Sequence, residues 1–201
     1  MIIRRVKLHN FGIYADTVSF DLEPVNDSQY TRPIILFRGQ NGVGKSTIVE
    51  AIRLCLHGKL ALGPRVTQRD YETYLERRQH RYADGETAVR TSVEMEFDHV
   101  VLGRRHHYRI MRLWGKQSSR IVTELLIWVD DEPSIETEDE KEFLLRELIP
   151  PGVAELFFFD GEKIATLSET GNASNSLLAD TVRNLLGLHL VEQLDRDLDI
   201  Y

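Results

Sequence analysis

Apolar and polar residues alternate along 2–8 and 17–22, the period of half-buried strands, whereas "PIILFR" at 33–38 is apolar enough to read as a buried strand. From Lys45 to about His57 the period changes. Ile48, Ile52 and Leu56 recur at helical spacing, so a helix with one apolar face is expected, ended by the glycine and proline of "HGKLALGP". Three further strand-like runs, near 88–97, 105–114 and 121–130, lie close together with turn residues between them. That spacing favours an antiparallel meander over βαβ units, which need a long crossover. In "TEDEKEFLLREL", Thr137 stands where it would cap a short helix. "PPG" at 150–152 breaks the chain before "VAELFFFDGEKI", and the polar loop "SETGNASNS" leads to a last helix from about Leu178. Leu188, Val191, Leu194, Leu198 and Tyr201 fall three or four apart on that helix. They form the seam either of a helix packed on its own domain or of the root of a longer coiled coil. The organisation expected is a lobe over 1–178 and the start of a coiled-coil helix over 179–201.

Composition narrows this picture modestly. With 201 residues, 42% apolar and 28% charged, the chain fits one sizeable globular domain. A net charge of −7 gives no global attraction to nucleic acid or anionic membrane, so any DNA contact has to be local. Cys55 is the single cysteine, which excludes an internal disulfide and a cysteine-based metal site and suits a reducing cytoplasm. No apolar run approaches 18 residues and "MIIRRVKLHNFG" lacks a signal-peptide core, so no membrane association and a cytoplasmic location are expected. Charge is nevertheless segregated. Lys59, Arg65, Arg69, Arg77, Arg78 and Arg81 outnumber the acids of 59–82, and 104–120 holds Arg104, Arg105, Arg109, Arg112, Lys116 and Arg120 with no acid. These stretches are either DNA-backbone surfaces or a solvated face balanced by the acids of 130–142.

The chemistry is concentrated between residues 39 and 47. Gly39, Gln40, Asn41, Gly42, Val43, Gly44, Lys45 and Ser46 satisfy G-x-x-x-x-G-K-[ST], between a strand-like run and a helix-like one. Glycines allow successive backbone N–H groups to face one concavity, and the helix beginning near Lys45 aims its positive end there. Lys45 would reach the β- and γ-phosphates of ATP, the Ser46 hydroxyl would ligate Mg²⁺, and Thr47 would lie beside the α-phosphate. Two apolar runs end in acids, "LLIWVDDE" at 125–132 and "LFFFDGE" at 156–162. Either could carry the carboxylate that holds a metal-bound water, through Asp130 or Asp160. For the first, a meander strand running into the turn "DDEPS" is the preferred reading.

This layout resembles the N-terminal half of an SMC/SbcC-type ATPase head, with strands before a phosphate loop near residue 40, an antiparallel insertion, and a coil beginning before residue 200. "ELFFFDGEKI" and "VRNLLGLHLVEQLDRDL" are similar, more specifically, to the DndD family of DNA phosphorothioation ATPases. The resemblance implies an α/β P-loop NTPase fold: the N-terminal lobe of an ABC/SMC-like head with an antiparallel β subdomain and the root of a coiled coil. In such heads the remaining catalytic acids and a serine–glycine loop return after the coil, and two heads sandwich ATP. The implied cofactors are ATP and Mg²⁺. The implied partners are the C-terminal half of the same head, a second head in a homodimer, other DNA sulfur-modification subunits, and the DNA backbone. Alone, the half-head should be inactive. An SbcC-like repair ATPase coupled to a nuclease and an SMC-type DNA tether are the alternatives.

Carried over by position, Asp160–Gly161 occupies the place of the Q-loop glutamine, where an aspartate could ligate Mg²⁺ as an anion. Asn10 and Gly12 of "NFGIY" would contact the nucleotide through the backbone, although relatives often carry a basic residue where Gly12 stands. Arg65, twenty residues past Lys45, matches the place of an arginine finger.

Overall fold

A computed structural model describes residues 1–26, 31–32, 34–118, 120–151 and 154. The chain divides into two compact units, Met1–Leu148 and Ile149–Tyr201, and nearly all described residues belong to the first. Its elements run β1 (Ile2–Phe11), β2 (Tyr14–Asp21), β3 (Val25–Asn26), β4 (Thr31–Arg32), α1 (Lys45–His57), a 3₁₀ turn (Gly58–Leu62), α2 (Gln68–Arg78), β5 (Arg90–Val101), β6 (Arg104–Gln117), β7 (Arg120–Val129), β8 (Glu132–Pro133) and α3 (Glu138–Leu148). Six strands form one antiparallel sheet in the order β2-β1-β5-β6-β7-β8, and β3 pairs with β4 separately.

Alternation sets the two faces of the sheet. Val6 and Leu8 of β1, Val93, Met95 and Phe97 of β5, Ile110 and Trp114 of β6, and Leu125 and Ile127 of β7 are all buried. α1 covers this face with Ile48, Ala51, Ile52, Leu54, Cys55 and Leu56, joined by Leu75 of α2 and Leu145 of α3. Phe11 meets Trp114 edge-on at 5.9 Å, and the Trp114 indole donates to the Leu75 carbonyl at 3.0 Å. On the opposite face, basic β1 opposes acidic β5: Lys7 reaches Glu94 at 2.7 Å, and Asp98 accepts from Arg4, Arg105 and His107. Burial raises the Asp98 pKa, but the hydrogen bonds from those three side chains and the Arg4 charge outweigh it and hold the carboxyl well below the usual range.

The strands expected near 2–8, 17–22, 88–97, 105–114 and 121–130 all form, and the meander is β5–β6–β7. The helix from Lys45 has the expected bounds. Thr137 donates its backbone N–H to Glu140 at 2.8 Å, and its hydroxyl oxygen accepts from the Glu140 N–H at 3.4 Å, opening α3 as its sequence requires. α2 escaped the hydrophobic pattern because only Tyr71 and Leu75 are buried on it; a Thr67–Asp70 capping box starts it instead.

The buried strand expected at 33–38 does not form. Residues 34–38 are exposed, with Ile34 at 84% and Leu36 at 83%, and carry no strand assignment. Apolar content makes a strand only where a neighbour supplies the ladder, and no described strand lies alongside this one. The coiled-coil seam, the loop "SETGNASNS" and both residues of Asp160–Gly161 lie outside the described residues.

One basic residue of the meander is structural. Arg112 is 6% exposed; its Nε donates to the Cys55 carbonyl at 2.8 Å and its guanidinium grips the Glu142 carboxylate. Beside it His57, 4% exposed, has no hydrogen-bond partner at either ring nitrogen. Burial, then Arg112 and Arg53, push its pKa down to about 4, against an opposing pull from Glu142. A histidine depressed in the folded state takes up its proton only on unfolding, so its contribution is complete above pH 6.5 and is lost as pH falls toward 4. Urea denaturation should show stability falling across that window with a slope of up to about 1.4 kcal/mol per pH unit from this one proton. His57→Leu should flatten the slope; an unchanged slope in that variant contradicts the assignment.

Candidate phosphate-binding site

The phosphate loop joins the exposed 34–38 segment to α1, whose first residue is Lys45. Gly44 precedes it at φ 93° and ψ 13°, and its carbonyl accepts the Ile48 N–H at 3.3 Å, the first bond of the helix. The first turn of α1 carries no acidic residue, so its free N–H groups and positive end face the loop uncompensated. The Lys45 ammonium donates to the Gly39 carbonyl at 2.8 Å and the Gln40 carbonyl at 2.6 Å. It thereby folds back onto its own loop, whose residues 39–43 are exposed.

The β1–β2 turn is seated against this loop. A Cβ on Gly12 would stand 3.3 Å from the Thr47 methyl, and one on Gly44 would stand 2.6 Å from Ile13 Cδ1 and 2.7 Å from the Tyr14 hydroxyl. The turn is fixed from behind by α2 and the segment after it. Gly12 N–H donates to the Arg78 carbonyl at 2.7 Å, and His80 N–H donates to the Asn10 carbonyl at 2.8 Å. Asn10, at φ 51°, is 7% exposed; its Oδ1 accepts from the Asp16 N–H at 2.8 Å and from the Tyr82 hydroxyl at 3.1 Å. Its side chain is thus spent on building the turn. Of the residues expected at the site, Gly12 of the turn meets Thr47 of α1, and Gly44 meets Ile13 and Tyr14. Arg78 also pairs with Glu50 of α1, whose Oε1 accepts from Tyr74 at 2.8 Å. Burial and the Glu50 charge push the Tyr74 hydroxyl pKa strongly up, so it stays a donor.

Other candidates lie away from the loop. Arg65 is exposed in the segment after the 3₁₀ turn, past the C-terminal end of α1. Thirteen residues of helix, about 20 Å, separate that end from Lys45. Asp130 occupies the β7–β8 turn at φ 51°, where it accepts from His107 N–H at 2.8 Å and pairs with His106 at 2.7 Å. The register Ile2↔Asp98↔His107 puts that turn at the end of the sheet where β1 starts, at least a strand's length of about 30 Å from Gly12. "LLIWVDDE" is therefore a meander strand and its turn, as the preferred reading had it, and supplies no carboxylate to this loop.

Much of the basic 104–120 stretch is engaged at home. Arg105 pairs with Asp98, Arg109 lies 4.0 Å over the Trp128 ring, Arg112 is in the core, and Lys116 meets Glu76 at 2.9 Å. Arg77, Arg81 and Lys116, from two sequence stretches, do line one cleft at the Gly12 end of the sheet. The residues that sequence reasoning missed are Ile13, Tyr14, Arg78, His80 and Tyr82. "NFGIY" was read only for its backbone, and "RRQHRY" only for its charge.

A family model described as an AAA domain (AAA_23), the family of SMC/SbcC-like ATPases, matches residues 5–196. The chain belongs to that family. A search of the curated proteins gave no match. The AAA domain makes the chain a P-loop ATPase domain of the SMC/SbcC class. Among the described residues, no helix is long and apolar enough to cross a membrane, and no cluster of three metal-ligating side chains occurs.

Two glycines of the AAA loop separate backbone strain from crowding. Gly42 (φ 85°) has nothing within 4 Å of an added Cβ, whereas Gly44 (φ 93°) has the Ile13 and Tyr14 contacts. Gly42→Ala should cost about 1 kcal/mol in urea denaturation and Gly44→Ala at least about 2 kcal/mol. Equal costs would mean that the β1–β2 turn does not press on the loop.

Proposed function

We propose that this chain is the N-terminal lobe of an ATP-binding, ATP-hydrolysing SMC-like head that serves a DNA sulfur-modification system, coupling ATP-driven head engagement to remodelling of DNA or partner subunits. The observation that carries the half-head reading is the exposed run Ile34, Ile35, Leu36 and Phe37. An apolar segment feeding a phosphate loop is ordinarily a paired strand, and the ladder that no described strand supplies would come from the C-terminal half of the same head. The sulfur-modification reading rests on the "ELFFFDGEKI" string. An SbcC-like repair ATPase or an SMC-type tether is compatible with the same family. A cysteine desulfurase encoded beside this gene favours the first reading, and a Cys-x-x-Cys hook in the coil of the full-length protein favours repair.

The residues present fit ATP and Mg²⁺. The turn over Gly44 has no room for a side chain, and the N-terminus of α1 carries no acid that would compete with phosphate. The loop amides and α1 bind the phosphates, and Lys45 leaves the Gly39 and Gln40 carbonyls to meet the β- and γ-oxygens. Ser46 would hold the metal, with Asp160 as a second ligand, and bound Mg²⁺ supplies neutralisation of charge on the β- and γ-phosphates. In this reading the water-orienting acid and the opposing serine–glycine loop come from the C-terminal half and from a second head across the ATP. The cleft of Arg77, Arg81 and Lys116 is the surface left for DNA phosphates.

Titration calorimetry tests the nucleotide site directly. The 201-residue chain should bind ATP–Mg²⁺, and Lys45→Ala should weaken that binding at least about 100-fold, the loss of a charge-assisted contact of about 3 kcal/mol. Equal affinity in the two proteins overturns the phosphate-loop reading.

A further inference from the structure

Tyr14 opens β2, where it is paired with Phe11 of β1. Its hydroxyl donates to the Gly44 carbonyl at 3.1 Å, across thirty residues of chain. That carbonyl is a sensitive place to hold. It belongs to the peptide joining Gly44 to Lys45, the last link of the phosphate loop and the start of α1, and Gly44 has no side chain with which to cap the helix. Rotating this peptide would re-aim the Lys45 N–H and the base of the Lys45 side chain together.

The ring is held as firmly as the hydroxyl. Tyr14 packs edge-on against Phe20 at 5.6 Å, and Phe20 packs edge-on against Phe37 at 5.7 Å. Phe37 lies two residues before Gly39, so one aromatic row touches the chain entering the phosphate loop and the chain leaving it. Gly39, Gly42 and Gly44 make the intervening backbone the most permissive in the lobe, and ordering such a segment on binding is costly in entropy. A contact that fixes both ends beforehand reduces that cost.

We propose that Tyr14 is a positioning residue of the phosphate loop: its hydroxyl latches the Gly44 carbonyl, and the Tyr14–Phe20–Phe37 row braces the loop at both ends, so that the loop amides face a polyphosphate before it arrives. The ligand class is a nucleoside di- or triphosphate, and the role rests on the nucleotide reading of this loop. Tyr14 acts through Gly44 and touches no reacting atom.

Tyr14→Phe keeps the aromatic row and removes only the latch. In the 201-residue chain it should shift the Gly44 carbonyl ¹³C resonance, lower calorimetric affinity for ATP–Mg²⁺ about five- to tenfold, and leave the nucleotide-free melting midpoint unchanged. Affinity within twofold of the unaltered chain overturns the role, and an unmoved Gly44 resonance overturns the latch itself without any nucleotide. A fall in affinity matched by a fall in the nucleotide-free midpoint would mean that the hydroxyl serves general stability, which also overturns it. No binding of ATP by the unaltered chain is a different result: it removes the nucleotide reading, and the positioning role with it.

Discussion

Asn10, the last residue but one of β1, is left-handed, and its side chain joins three segments that are far apart in sequence: Asp16 on β2, Tyr82 after α2 and the carbonyl of Arg90 at the start of β5. Those bonds fix where the next residues go. Gly12 is pinned to Arg78 at the end of α2, and Ile13 and Tyr14 are delivered onto Gly44. The phosphate loop is thus shaped partly by a hairpin that precedes it by thirty residues. Each bond in this junction is worth only about 1 kcal/mol, yet a shift of the turn would move Gly12 off Thr47 and Tyr14 off Gly44 at once. The orientation of the sheet and the geometry of the loop therefore depend on one buried amide.

Charge is used in this lobe mainly to join elements. Arg112 holds α3 to the end of α1 from within the core, and Asp98 gathers Arg4, Arg105 and His107 at the end of the sheet where β1 starts. A buried cation is retained only when its partners are complete, and Arg112 meets that condition through Glu142 and the Cys55 carbonyl. The cations left for a polyanion are consequently fewer than the sequence count implies. Among them, Arg77 and Arg81 line one cleft with Lys116, whose partner Glu76 is exposed and gives up little on exchange for phosphate.

Much of the lobe was legible in the residue pattern. Period-two alternation located the meander, and helical spacing located α1. Two features were hidden for physical reasons. α2 is nearly polar and is held by its cap and two buried residues, so no periodicity announces it. "PIILFR" has the composition of a buried strand but lacks a neighbour among the described residues, and composition carries no information about where a partner comes from. In the site, side-chain roles such as that of Tyr14 depend on contacts between distant segments, which spacing along the chain does not encode. Arg112 shows the reverse error: a member of a basic run that the fold removes from solvent altogether.

If the lobe is one half of a head, its phosphate loop is complete while the machinery for turnover is not. Steady-state phosphate release by the purified 201-residue chain, alone and after addition of the C-terminal half of the same protein, measures that division most directly. Hydrolysis should be at background for the chain alone, and should rise by at least about 100-fold, with ATP-dependent dimerisation, once both halves are present. Sustained turnover by the 201-residue chain alone, abolished by Lys45→Ala, would contradict the half-head and require every catalytic group to lie within these residues.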